Sequence, residues 1–173
     1  MMNKSFIATV GGAAAVIMSI TGAASGCDAG AENSAAATSC RSSKGLGLSG
    51  VQKDNARTIV DTARSMGMGR RGAEVGVMAA LQESSLRHDS APGDGGIAYG
   101  LFQMHAGSYW GSVSAVTEPS TAAERFFKEL RKVKGWKNMS RNDAAQSVEK
   151  SGHPFAYASR ESLAKKIVAW AWC

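Results

Sequence analysis

"VMAALQESSLRH", residues 77–88, decides how the rest of this chain is read. Val77, Met78, Ala79, Ala80 and Leu81 make a run that is apolar on every side, the pattern of a helix in the middle of a domain. The run ends on Glu83, followed by two serines. At the end of an apolar helix a carboxyl is partly desolvated, which disfavours its charged form and raises its proton affinity. A carboxyl that keeps its proton near neutral pH can donate it to a departing oxygen, as glycosidic bond cleavage requires. Periodicity by itself also fits a solvated or capping glutamate, so the neighbouring segments have to decide.

Outward from this stretch the chain reads as mainly α. Ala56, Ile59, Val60, Ala63 and Met66 recur at helical spacing and are closed off by Gly67 and Gly69. The apolar helix spans Gly72 to Leu86, and residues 87–99, with "APGDGG" at 91–96, predict a loop or small hairpin after it. A third helix is expected from about Thr121 to Val133, with Phe126, Phe127 and Leu130 inward and Gly135 as its stop. Ser140 reads as an N-cap for a helix to about Lys150, and Ser159 as the opening of a last helix facing Leu163, Ile167, Val168 and Trp170 inward. No alternating strand of any length is present. Residues 51–173 therefore predict one compact helical domain, large enough for its own core.

The segment before it has a different composition. Residues 1–26 read as an export signal, with Lys4 as the positive start, Phe6–Ile20 apolar and small residues to Gly26. The apolar stretch is short for a membrane span of roughly 20 residues; an uncleaved N-terminal anchor is the competing reading. "ASGC", ending at Cys27, is similar to a bacterial lipobox, with Ala24 where leucine is usual; cleavage after Ala24 competes with lipidation of Cys27. Residues 27–50 are rich in Ala, Ser and Gly and read as a flexible linker. Within it "GLGLSG", residues 45–50, matches a dinucleotide-binding fingerprint but follows no strand, so no cofactor is expected.

The chain carries 3 cysteines, which fit an oxidising compartment. If Cys27 is lipidated, Cys40 and Cys173 remain to tie the linker to the C-terminus; if not, one thiol is left over. His88, His105 and His153 are solitary and no cysteines are spaced for zinc, so no metal is expected. A net charge of +6 and a pI near 9.4 suit an anionic wall polymer better than nucleic acid in an exported protein, and suit a solubilising surface equally well.

Three segments then line up. Glu83-Ser84, Gly100-Leu101-Phe102-Gln103 and Ala156-Tyr157 resemble, in order and spacing, the signature of the lysozyme-like lytic transglycosylase superfamily. "NARTIV", "ALQESSLR", "GLFQ" and "AAQSVEKSGHPFAYA" look closest to exported lysozyme-like proteins of actinobacteria, over most of residues 51–170. The resemblance implies a lysozyme-like fold, an extracytoplasmic monomer and peptidoglycan glycan strands as substrate. It implies Glu83 as catalytic acid/base, Ser84 beside it supporting substrate contacts, Gln103 lining the opposite cleft wall, and Tyr157 holding the glutamate or the sugar. The family pattern continues Ala-Tyr-Asn, whereas Tyr157 is followed by Ala158, so identical sugar contacts do not carry over. Tyr109 and Trp110 are candidates for cleft wall.

Hydrolases of this kind normally pair two carboxyls. Asp89 and Asp94 follow Glu83 in the segment able to fold back, and both also read as ordinary turn residues; Asp94 is the candidate second carboxylate. Without a partner, a single-acid transglycosylase is expected. With Asp94 as partner, a muramidase is expected. A wall-binding module that has lost turnover is the reading from a different class.

Overall fold

The computed structural model describes residues 42–107 and 109–173. The proposed export signal, the lipidation candidate Cys27 and the disulfide candidate Cys40 lie outside the described residues. Cys173 is disulfide-bonded, and the chain's other two cysteines are Cys27 and Cys40.

Six α-helices are present among the described residues, with one two-stranded hairpin. Helix α1 spans Gly50–Ser65 and opens with a capping box: Gln52 N donates to Ser49 Oγ (3.3 Å) and Ser49 N to Gln52 Oε1 (2.8 Å). Just before it, Leu46 and Leu48 pack against the core, so the end of the stretch read as linker touches the domain. Helix α2, Gly69–Ser84, carries the diagnostic run, and Val75 through Leu81 are all buried.

After α2 the chain makes a 3₁₀ turn at Asp94–Gly96 and an antiparallel hairpin, β1 Ala98–Tyr99 against β2 Met104–His105. The register pairs Ala98 with His105 and Tyr99 with Met104. The expected hairpin therefore lies later than residues 87–99, and "GLFQ" forms its turn. Gly100 permits that turn: its φ is +76°, and a Cβ there would stand 2.0 Å from the Val116 carbonyl oxygen.

A short helix α3, Val113–Thr117, leads into α4, Pro119–Lys132. Helix α4 starts earlier than expected because Pro119 occupies its first turn and the Glu118 carboxylate accepts from Ser120 N (3.1 Å) and Thr121 N (2.6 Å). Helix α5, Arg141–Glu149, is capped by Ser140 as expected, with Asp143 N donating to Ser140 Oγ at 3.0 Å. The last helix, α6, runs from Glu161 to Ala171. Ser159 does not open it: Ala158–Arg160 form a 3₁₀ turn, and α6 follows with no side-chain cap. Ile167, Val168 and Trp170 are buried, as the periodicity requires.

The core is organised around α2, which packs against α1, α4, α5 and α6. Arg141 on α5 reaches Glu74 of α2 at 2.5 Å and Glu161 of α6 at 3.3 Å, tying three helices at one point. No helix of the described residues is long and apolar enough to cross a membrane.

Helices α1 and α4 both crowd α2 at Gly76, where an added Cβ would meet Phe127 Cζ at 2.7 Å and Ile59 Cγ2 at 3.1 Å. Alanine is the better helix former, but here the lost fit decides. Gly76→Ala is expected to destabilise the domain by about 1–3 kcal/mol, the usual cost of overpacking. Equilibrium urea denaturation checks it; an unchanged or increased stability would contradict this packing.

Candidate active site

Helix α2 cannot continue past Ser84 because Ser85 and Leu86 take left-handed φ values of 54° and 61°. The turn is held from both sides. Leu86 N donates to Ala80 O (3.0 Å) and Ser85 N to Leu81 O (3.2 Å). From α1, Gln52 Nε2 donates to Ser85 O and Asn55 Nδ2 to Leu86 O, both at 2.8 Å. Asn55 is buried, so this bond stabilises a polar group that would otherwise be desolvated and unpaired.

Ser84 is buried at the same turn, and its hydroxyl donates within reach of two carbonyls, Ala80 O at 3.1 Å and Leu101 O at 2.8 Å. It thereby ties the hairpin to α2.

Glu83 is half-buried on the last turn of α2. The Tyr157 hydroxyl donates to Glu83 Oε1 at 2.7 Å across 74 positions of sequence. Burial raises the Glu83 pKa above the usual glutamate range, and the Tyr157 hydrogen bond works against that rise. Tyr157 is itself pushed above the usual tyrosine range, first by its burial and then by its bond to Glu83, so it remains a donor.

Both groups line a cavity of about 370 Å³ together with Asp94, Gln103, His105 and Glu149. Three of the candidate residues, Glu83, Gln103 and Tyr157, thus meet in one place, and Asp94 joins them. Gln103 has a left-handed φ of 45°, and its Nε2 donates to Ser90 Oγ (3.0 Å) and Gly100 O (3.2 Å). Asp94 is exposed and pairs through Oδ2 with His105 Nε2 at 2.8 Å. Asp89, the other turn carboxylate, is held by Arg87 at 3.2 Å and does not line the cavity.

A second cavity of about 500 Å³ shares Gln103, His105 and Glu149 with the first and extends the cleft towards Tyr109, Trp110 and Lys132. Lys132 Nζ donates to the Tyr109 hydroxyl at 2.7 Å, fixing the exposed ring against α4. Tyr109 and Trp110 line this second cavity. Among the described residues no cluster of His, Cys, Asp and Glu is arranged to hold a metal ion.

Glu149 is the residue that sequence reading missed. It carries the same signal as Glu83, a carboxylate at the end of a helix whose Ala144, Ala145 and Val148 are buried. In the sequence that helix is short and polar overall, which masked the signal. No protein-family model matches the chain, and no curated protein matches it.

Because the folded protein holds the Glu83 proton more tightly than the unfolded chain does, Glu83 costs nothing below the ordinary glutamate pKa of 4.5. Stability is lost as pH rises from there through the raised folded value. Glu83→Gln removes that loss. Thermal unfolding is expected to show the variant matching wild type near pH 4 and exceeding it near pH 7; a variant less stable at pH 7 would show that Glu83 is charged and well satisfied.

Proposed function

We propose that this protein is a peptidoglycan-cleaving lytic transglycosylase of lysozyme-like fold, acting outside the cytoplasm on the bond between N-acetylmuramic acid and N-acetylglucosamine. The observation that carries the reading is Glu83: a half-buried carboxyl of raised proton affinity, bonded by Tyr157 at 2.7 Å and opening on a cleft. A buried central helix ending on that glutamate, with a hairpin directly after it, supports the lysozyme-like arrangement.

In this reading Glu83 donates its proton to the glycosidic oxygen as the bond from C1 to that oxygen breaks. The Glu83 carboxylate then takes the proton of the muramic acid 6-hydroxyl, whose oxygen attacks C1. An anhydro sugar forms, no water is consumed, and Glu83 regains its proton. Tyr157 orients the carboxyl and stabilises its anion between the two steps. Gln103 and the rings of Tyr109 and Trp110 supply cleft wall for sugars.

Hydrolysis is the second reading, and Asp94 on the same cavity favours it, as the carboxylate that would activate water. Its pairing with His105 leaves it in place but engaged.

Mass spectrometry of fragments released from purified peptidoglycan separates the readings: anhydro ends mark the transglycosylase, reducing ends the hydrolase. Glu83→Gln is expected to fold, keep binding wall material and lose release by about 10²–10⁴-fold. Asp94→Asn is expected to have a small effect in the transglycosylase and a comparable loss in the hydrolase. Wild-type binding with no release of either product would leave a wall-binding module and end both enzymatic readings.

A further inference from the structure

Glu149 lines both halves of the cleft, the cavity of Glu83 and the aromatic cavity beyond it. Its Oε1 is buried and accepts no hydrogen bond, whereas Glu83 Oε1 accepts from Tyr157. A buried carboxyl oxygen with no donor is costly as an anion, so the group responds by keeping its proton.

The charged and titratable neighbours on every side give it no relief. On the Glu83 side it faces Glu83 from α2, Tyr157, and the Asp94–His105 pair of the hairpin, closed at 2.8 Å. On the aromatic side it faces Tyr109, with Glu129 and Lys132 from α4, and Lys150 follows it in the chain. Lys132 Nζ is committed to Glu129 Oε1 and the Tyr109 hydroxyl, both at 2.7 Å. The strongest charge acting on Glu149 is that of another carboxylate, Glu83.

We propose that Glu83 and Glu149 form a coupled carboxyl pair that retains one proton across the neutral range, so that the two groups titrate as one unit. Two like charges lining one small cavity cannot both form cheaply, so the second proton leaves the pair only at high pH. Burial and then the Glu83 charge hold the Glu149 carboxyl well above the usual range, in keeping with this arrangement. Between the two ionisations the cleft holds one proton and one negative charge. The inference rests on Glu83 as the acid, and it makes the pair, not Glu83 alone, the unit that titrates.

The test is ¹³C NMR titration of the glutamate side-chain carboxyls in wild type, Glu149→Gln and Glu83→Gln, using the full chain. In Glu83→Gln the Glu149 step is expected to fall by about 1 pH unit or more, the coupling that defines such a pair. In Glu149→Gln the upper step should vanish, leaving Glu83 to titrate in a single step. A Glu149 step that stays in place in Glu83→Gln overturns the proposal, and this arm decides alone if Glu149→Gln fails to fold. Wild type that releases nothing ends the glycosidase reading, while the NMR shifts still decide whether the pair is coupled.

Discussion

Burying α2 on almost every side constrains everything around the cleft. A helix so enclosed must return the chain to water at one end, and there its last carbonyls need partners that neighbouring helix turns no longer supply. The left-handed turn at Ser85 and Leu86 returns their N–H groups to Leu81 O and Ala80 O, and Gln52 and Asn55 of α1 donate to the turn's own carbonyls, each at 2.8 Å. Glu83 stands in this last turn, so its partial desolvation is a consequence of how the helix ends rather than a separate feature. The hairpin is hung from the same turn by the Ser84 hydroxyl.

The electrostatics of the site follow from that geometry. Desolvation and a single phenolic donor pull the Glu83 pKa in opposite directions, and desolvation is the larger effect. Glu149 has the desolvation without a donor at Oε1, and so is shifted further in the same direction. Neither carboxyl has a nearby arginine or lysine bonded to it among the interactions described, although the protein is strongly basic. The cations are spent elsewhere: Arg141 on Glu74 and Glu161, Lys132 on Glu129, Lys165 on Glu161. With no cation bonded to Glu83 or Glu149 among the described interactions, burial favours their protonated forms, the state that proton donation requires.

What sequence alone determined was whatever depends on local periodicity and local hydrogen bonding. The inward faces of α1 and α6 follow from apolar residues three and four apart, and the start of α5 from Ser140 with its side chain free to cap. The burial of Val75–Leu81 was legible because a helix apolar on all sides has nowhere else to go. Glu83 was legible as the polar end of that run, and its significance came from company, Gln103 and Tyr157, recognised as a resemblance. Tertiary structure decided the rest, because it depends on contacts between residues far apart in the chain. The hairpin fell at 98–105 since Gly100 must pass against the Val116 carbonyl, a contact absent from any local pattern. Ser84 turned inward to Leu101 O instead of towards the cleft, and Asp94 was drawn to His105. Glu149 entered the site only when α5 packed against α2, because desolvation is a property of the assembled surroundings and not of the residue.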